Sequence, residues 1–217
     1  MNRFLLLLGS SLLVAGTAHA QLGLRLGGNV AKLHTMDGSN LYNSSNAKLG
    51  YQVGLTYQVP LTKWLAVVPE VQFSQEQFTM HQTSYTVSDE GFSADSRQRL
   101  RYLNVPVLIR ASLGPVYVEA GPQASALLGG RLVGTSFTSS WMGTTTSYDF
   151  DQPATDYYRR FDAGACVGVG VRLPAGLGLS VRAYRGLVTL NPERSTFDGV
   201  YKRQSLQASL TYQLPTR

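Results

Sequence analysis

The chain has 217 residues, 19 Lys and Arg against 13 Asp and Glu, a formal net charge of +6, and only 15% charged residues in all. That length suits one domain, and Arg residues scattered without a basic run argue against a nucleic-acid partner. A lone cysteine, Cys166, excludes an internal disulfide. Abundant Gly (22) and Tyr (12), with no sustained 3.6-residue periodicity, exclude a helical bundle and point to strands.

At the N-terminus, Asn2 and Arg3 precede an apolar run from Phe4 to Val14, and Ala18-His19-Ala20 offers small residues for cleavage. The run is shorter than the ~20 residues a helix needs to cross a bilayer. Residues 1–20 therefore read as a signal peptide, and residues 21–217 as an outer-membrane β-barrel domain starting at Gln21. Losing Arg3 takes the 19 positive charges to 18 and leaves the domain at +5. Gln21, not a cysteine, stands directly after the cleavage point, so nothing suggests a lipoprotein.

Eight segments then alternate apolar with small or polar residues: 21–33, 48–60, 64–78, 99–112, 115–128, 159–173, 177–190 and 201–214. A period of two sends the two sets to opposite faces of a sheet. Tyr51, Val53, Leu55, Tyr57 and Val59 oppose Gln52, Gly54, Thr56 and Gln58; Leu206, Ala208, Leu210, Tyr212 and Leu214 oppose Gln207, Ser209, Thr211 and Gln213. Between Phe161 and Leu173 the polar set is Asp162, Gly164, Cys166, Gly168, Gly170 and Arg172, which makes Cys166 a small buried residue rather than a reactive thiol. Gly27-Gly28 falls inside a strand, where it marks tight packing or curvature rather than a phosphate loop.

The joints are unequal. Three even-numbered segments end alike, in Tyr57-Gln58-Val59-Pro60, Val171-Arg172-Leu173-Pro174 and Tyr212-Gln213-Leu214-Pro215, so the repeating unit is a hairpin. Turns at Pro60, Ser112-Leu113-Gly114-Pro115 and Pro174 are short, whereas 34–47, 79–98, 129–158 and 191–200 are long. The expected fold is all-β: an eight-stranded antiparallel up-and-down transmembrane β-barrel with short periplasmic turns and long extracellular loops. A soluble barrel of lipocalin type has the same alternation turned inside out. Its outer face would need Lys and Glu, whereas here the polar face is mostly Gly, Ser, Thr, Gln and Asn, which suits a crowded lumen. Tyr51 and Phe161 fall near the outer strand ends and Tyr57 and Tyr212 near the inner ends, as aromatic girdles would.

Three stretches also carry a resemblance: Val67-Val68-Pro69-Glu70-Val71-Gln72-Phe73-Ser74-Gln75, Tyr102-Leu103-Asn104-Val105-Pro106-Val107-Leu108-Ile109-Arg110, and Val118-Glu119-Ala120-Gly121-Pro122. They resemble the third, fourth and fifth strands of PorT-family outer-membrane β-barrel proteins, in matching order and spacing. The resemblance implies localisation in the cell outer membrane, a role in protein secretion or surface assembly, and partners among envelope or secretion-machinery proteins. Barrels of this kind often end on an aromatic residue; this chain ends Tyr212-Gln213-Leu214-Pro215-Thr216-Arg217, which leaves Tyr212 for that part.

With the polar face inward, Arg25, Glu70, Arg110, Glu119, Arg172 and Arg182 enter the inner half of the lumen. Charges so confined must find partners, which predicts an ion-pair network with Glu70 and Glu119 shared among the arginines. Neighbouring strands make Glu119 with Arg110 or Arg172 the leading pairs. Eight strands leave room for little but side chains, so the network is expected to plug the lumen rather than gate it.

Catalytic readings start weakly. Apart from the leader, the histidines are His34 and His81, too few for a metal site; Ser84, Asp89, Glu90 and Asp95 share a loop with His81, a composition exposed loops often have. No enzyme activity and no cofactor are expected. The partners are outer-membrane lipid and envelope proteins, and the chain is expected to be monomeric. Specific function belongs to the long segments. Residues 74–88 and 132–150 keep strand character as projecting hairpins, the second folding around Trp141-Met142-Gly143. Tyr85, Trp141, Tyr148, Phe150, Tyr157 and Tyr158 are the loop residues offered to a partner, a ligand or the outer interface. Two functions follow: an envelope barrel supporting secretion or assembly, or a surface receptor or adhesin reading a ligand through its loops.

Overall fold

Residues 20–36, 41–85, 91–139, 144–190 and 200–215 are described in a computed structural model of the chain. The expected signal peptide, Ala20 apart, lies outside them. Nine strands form one sheet: β1 (Gln21–Met36), β2 (Leu41–Pro60), β3 (Leu65–Tyr85), β4 (Gly91–Leu113), β5 (Val116–Ser139), β6 (Thr145–Pro153), β7 (Phe161–Arg172), β8 (Leu177–Gly186) and β9 (Val200–Gln213). Every pairing is antiparallel between neighbours, and β1 pairs with β9 as well as β2, so eight strands close a ring. The ninth, β6, stands outside that ring and pairs with the outer half of β5, Phe137 opposite Ser147.

Strand register measures the ring. From Arg25, partners run through Gly54, Gln72, Asn104 and Ser125 to Asp162 on β7. In the other direction they run through Thr211 and Gly178 to Arg172 on the same strand. The two arrivals are ten residues apart, so the barrel combines eight strands with a shear of ten. Such a stagger tilts the strands by roughly 40° and leaves a lumen only wide enough for side chains.

The alternation settles which face meets which medium. Leu22, Leu24, Leu26, Val53, Leu55, Val107, Ile109, Val118, Val167, Val181 and Leu210 are exposed on the outside, while Asn29, Gln52, Gln72, Asn104, Gln123 and Gln207 are buried inside. Phe161 and Tyr51 stand outward at one margin of this belt and Tyr212 at the other; the Tyr51 ring lies 6.3 Å from that of Phe73.

The short turns lie at one end. Gly114 turns β4 into β5 with a φ of +63°, a left-handed conformation in which glycine carries no steric penalty. Between β2 and β3, the Thr62 hydroxyl oxygen accepts from the backbone N–H of Trp64 and of Leu65. At the opposite end the strands run well past the lengths expected from hydrophobic alternation: β3 continues to Tyr85, β4 begins at Gly91 and β5 continues to Ser139. Apolar alternation stops at the belt, but backbone pairing needs no apolar face and continues for as long as each strand has a neighbour. The two expected hairpin arms are present, β3–β4 and β5–β6.

Candidate functional site

The lumen is built from residues of one parity. Glu119 of β5 lies directly opposite Arg110 of β4, and its other register partner is Gly168 of β7, itself opposite Arg182 of β8. Gly168 acts as a notch: a Cβ there would lie 2.7 Å from Arg182 Cγ and 3.3 Å from Glu119 Oε1. Arg182 therefore reaches across β7. Its Nη1 and Nη2 each donate to Glu70 at 2.6 Å, a two-point contact, and its Nε donates to Glu119 Oε1. Arg110 donates to Glu119 Oε2 through Nε at 3.0 Å and Nη2 at 2.8 Å, and to Gln58 at 2.9 Å. Arg25 lies 3.7 Å from Glu70 and 3.8 Å from Glu119, and donates to the Ser180 hydroxyl at 3.0 Å. Gln72 donates to Glu70 at 2.8 Å.

Five of the six expected charges thus meet in one layer. Arg172 does not. It is only half-buried, its Nη2 donates to the Gly114 carbonyl at 3.0 Å, and it helps hold two short turns together. Shear explains the correction: Arg172 and Arg182 share a face, but Arg172 is the last residue of β7, at the rim, while Glu119 faces Gly168 higher on that strand.

A second charged layer lies toward the arms, where alternation passes into polar loop composition. Arg203 of β9 has its guanidinium between two rings, 4.1 Å from Tyr102 and 4.6 Å from Tyr184. Its Nε is 3.2 Å from Glu76, its Nη1 is 3.3 Å from Asp162, and its Nη2 donates to Asn104 at 3.1 Å. The Tyr184 hydroxyl donates to Asp162 at 2.8 Å. Three arginines and two glutamates make up the first layer; one arginine, Glu76 and Asp162 make up the second. Each is one formal charge out of balance, in opposite senses, and among the described residues the buried charges sum to zero. Strand parity was the signal for Glu76 and Arg203: Glu76 continues Glu70, Gln72 and Ser74, and Arg203 continues Gln207 and Ser205.

An apolar lid covers this layer. Phe78, Met80, Leu100, Tyr102, Leu127, Ala154, Tyr158 and Leu190 form one buried cluster. Tyr158, a loop residue that the sequence offers to a partner, a ligand or the outer interface, is instead 8% exposed, and its hydroxyl donates to Gln98 inside the barrel. A 3-10 turn at Ala154–Asp156 brings the chain back over the mouth, where the Leu127 N–H donates to the Arg160 carbonyl and the Arg159 N–H to Leu190. Tyr157 packs against the same cluster and donates to Gln152. Tyr148 is exposed at 69%, Phe150 is half-buried with its ring over Gly134, and the Tyr85 side chain and Trp141 lie outside the described residues. Cys166 is buried with Val68, Leu108 and Tyr184.

On the outward face of the β3–β4 arm, His81 Nδ1 is 2.6 Å from Asp95 and Nε2 is 3.1 Å from the Thr83 hydroxyl. The order resembles a nucleophile-base-acid relay. The His81 and Asp95 side chains are 50% and 67% exposed, so water solvates the groups that a relay would have to activate in a dry pocket. Ser84's side chain, Asp89 and Glu90 lie outside the described residues.

Residues 15–190 match the model of a family described as the outer membrane protein beta-barrel domain. No curated protein matches the chain in sequence. Among solved structures, Ail, the attachment invasion locus protein of Yersinia pestis, is 13% identical over 90% of this chain and 99% of its own, with a TM-score of 0.47. OprG of Pseudomonas aeruginosa is 12% identical over 93% of this chain and 99% of its own, with a TM-score of 0.35.

Proposed function

From the premise that the chain belongs to the outer membrane protein β-barrel domain family and resides in the outer membrane, we propose that it is a non-catalytic barrel with a plugged lumen whose projecting arms support protein secretion or envelope assembly. The observation that carries the plug is the pair of charged layers: Arg182 bridges Glu70 and Glu119 across the lumen, and Arg203 is clamped by Tyr102, Tyr184, Glu76 and Asp162. Opening a solute path through either layer would strand buried charges, each such break costing about 3–5 kcal/mol. With transport disfavoured, specific work falls to the arms, and the PorT resemblance of β3, β4 and β5 supports secretion or surface assembly as that work. The short turns then face the periplasm and the arms face outside.

Deleting the gene and comparing the secreted and surface-anchored proteins by quantitative mass spectrometry tests the role. A general export defect, restored by the wild-type gene, is expected. An unchanged profile, with loss of binding to one ligand or cell surface, would favour a receptor or adhesin. Tyr148, exposed at 69%, and Phe137, exposed at 40%, on the β5–β6 arm are the observation that keeps this second reading in view.

A further inference from the structure

The buried charges cancel among the described residues, so their positive excess lies outside the buried charged layers. Much of it is gathered on one wall. Lys48 of β2 is in register with Gln77 of β3, Gln77 with Arg99 of β4, and Arg99 with Arg131 of β5. These four form one row across four strands, about 4.8 Å between neighbours. Arg97 and Arg101 flank Arg99 on the same outward face of β4, and all five basic residues are exposed. Two like charges placed directly opposite, as Arg99 and Arg131 are, destabilise a sheet. Arg131 is relieved by Asp151 at 2.9 Å. For Lys48, Arg97, Arg99 and Arg101, no carboxylate lies within ion-pair distance among the described residues; across from the three arginines stand the neutral Thr79, Gln77 and Gln75.

Height completes the case. Immediately below the row, Leu103 and Leu128 belong to the exposed apolar belt, and Gln75, the register partner of Arg101, is also the partner of the girdle residue Tyr51. The basic row therefore sits where acyl chains end and headgroups begin, at the arm end of the barrel. Unneutralised guanidinium groups in a row suit phosphate, which arginine binds through two parallel N–H donors.

We propose that this wall binds the phosphate groups of an anionic, lipid A-type glycolipid in the outer leaflet, with Arg97, Arg99 and Arg101 as the principal contacts and Lys48, Gln77 and Arg131 at the sides. The assignment rests on the arms facing outward, but not on any role in secretion. The purified barrel, folded in detergent, is titrated with bisphosphorylated lipid A and with lipid A lacking both phosphates, for the wild type, R97Q/R99Q/R101Q and a control on another wall, K32Q/R185Q. Saturable binding of the phosphorylated lipid is expected, weakened at least tenfold in the triple variant, less than twofold in the control, and as weak for the phosphate-free lipid as for the triple variant. Equal affinity for the two lipids, or an unchanged triple variant, would overturn the proposal. Preserved heat-dependent gel mobility shows that each variant is folded.

Discussion

At the scale of single residues, the two glutamates of the first layer, Glu70 and Glu119, are not interchangeable with any other polar group in the lumen. Glu119 contacts Arg110 and Arg182 and lies near Arg25. Glu119→Gln keeps the volume and removes the charge, and should lower stability by about 3–5 kcal/mol, the usual cost of removing one partner from a buried pair. The readout is the temperature at which folded barrel loses its fast gel mobility. Arg172→Gln, outside the network, removes a hydrogen bond between two turns and should lower that stability by about 0.5–1.5 kcal/mol, well short of Glu119→Gln. Gly168→Val should be at least as damaging as Glu119→Gln, because the added side chain fills the notch through which Arg182 reaches Glu119; a melting temperature within two or three degrees of wild type would refute that account. Most of this site could be read from sequence because parity sorts Arg25, Glu70, Arg110, Glu119 and Arg182 to one face and few charges compete for it. Parity includes Glu76 and Arg203 too, but they lie where both faces have become polar, so nothing local separates a lumen charge from a loop charge.

At the scale of elements, arms and barrel separate energetically. β6 pairs only with β5 and closes nothing, so replacing residues 134–150 with a short turn should leave the barrel's melting temperature within a few degrees of wild type. The returning segment behaves differently. Tyr158 is buried in the lid, and Tyr158→Ala should cost about 3 kcal/mol, the range for losing a large aromatic side chain from a packed core. If both changes proved equally harmful, the division between an arm that adds little stability and a structural lid would be wrong. The arms were legible in outline, since Phe78, Tyr85 and Val87 and the stretch from Leu132 to Phe150 keep strand-forming composition. The inward return of residues 154–160 was not: Tyr157-Tyr158 next to Arg159-Arg160 looks the same whether its rings meet solvent, lipid or a lumen.

At the scale of the whole molecule, eight strands with a shear of ten leave a lumen that side chains fill, and two charged layers beneath an apolar lid occupy it. Purified barrel in planar bilayers should show no reproducible single-channel steps. Steps that persist in wild type and change in size in Glu119→Gln would instead make the first layer a gate. Folded protein should also migrate faster on gels before boiling than after, as a closed barrel does until heat unfolds it; a soluble barrel with an inward apolar face would need no detergent.

Sequence alone determined the sidedness of the sheet, because a period of two in a chain with so few charges permits only one face to meet lipid. It also determined the up-and-down order, since short and long joints alternate along the chain. Only tertiary structure decided which charges meet. Strand tilt displaces partners along the barrel axis, so Arg172, which sequence spacing places beside Glu119, ends at the rim, while Arg203, distant in sequence and hidden in a polar stretch, arrives between Tyr102 and Tyr184. Register and shear are properties of the closed ring, and no single strand contains them.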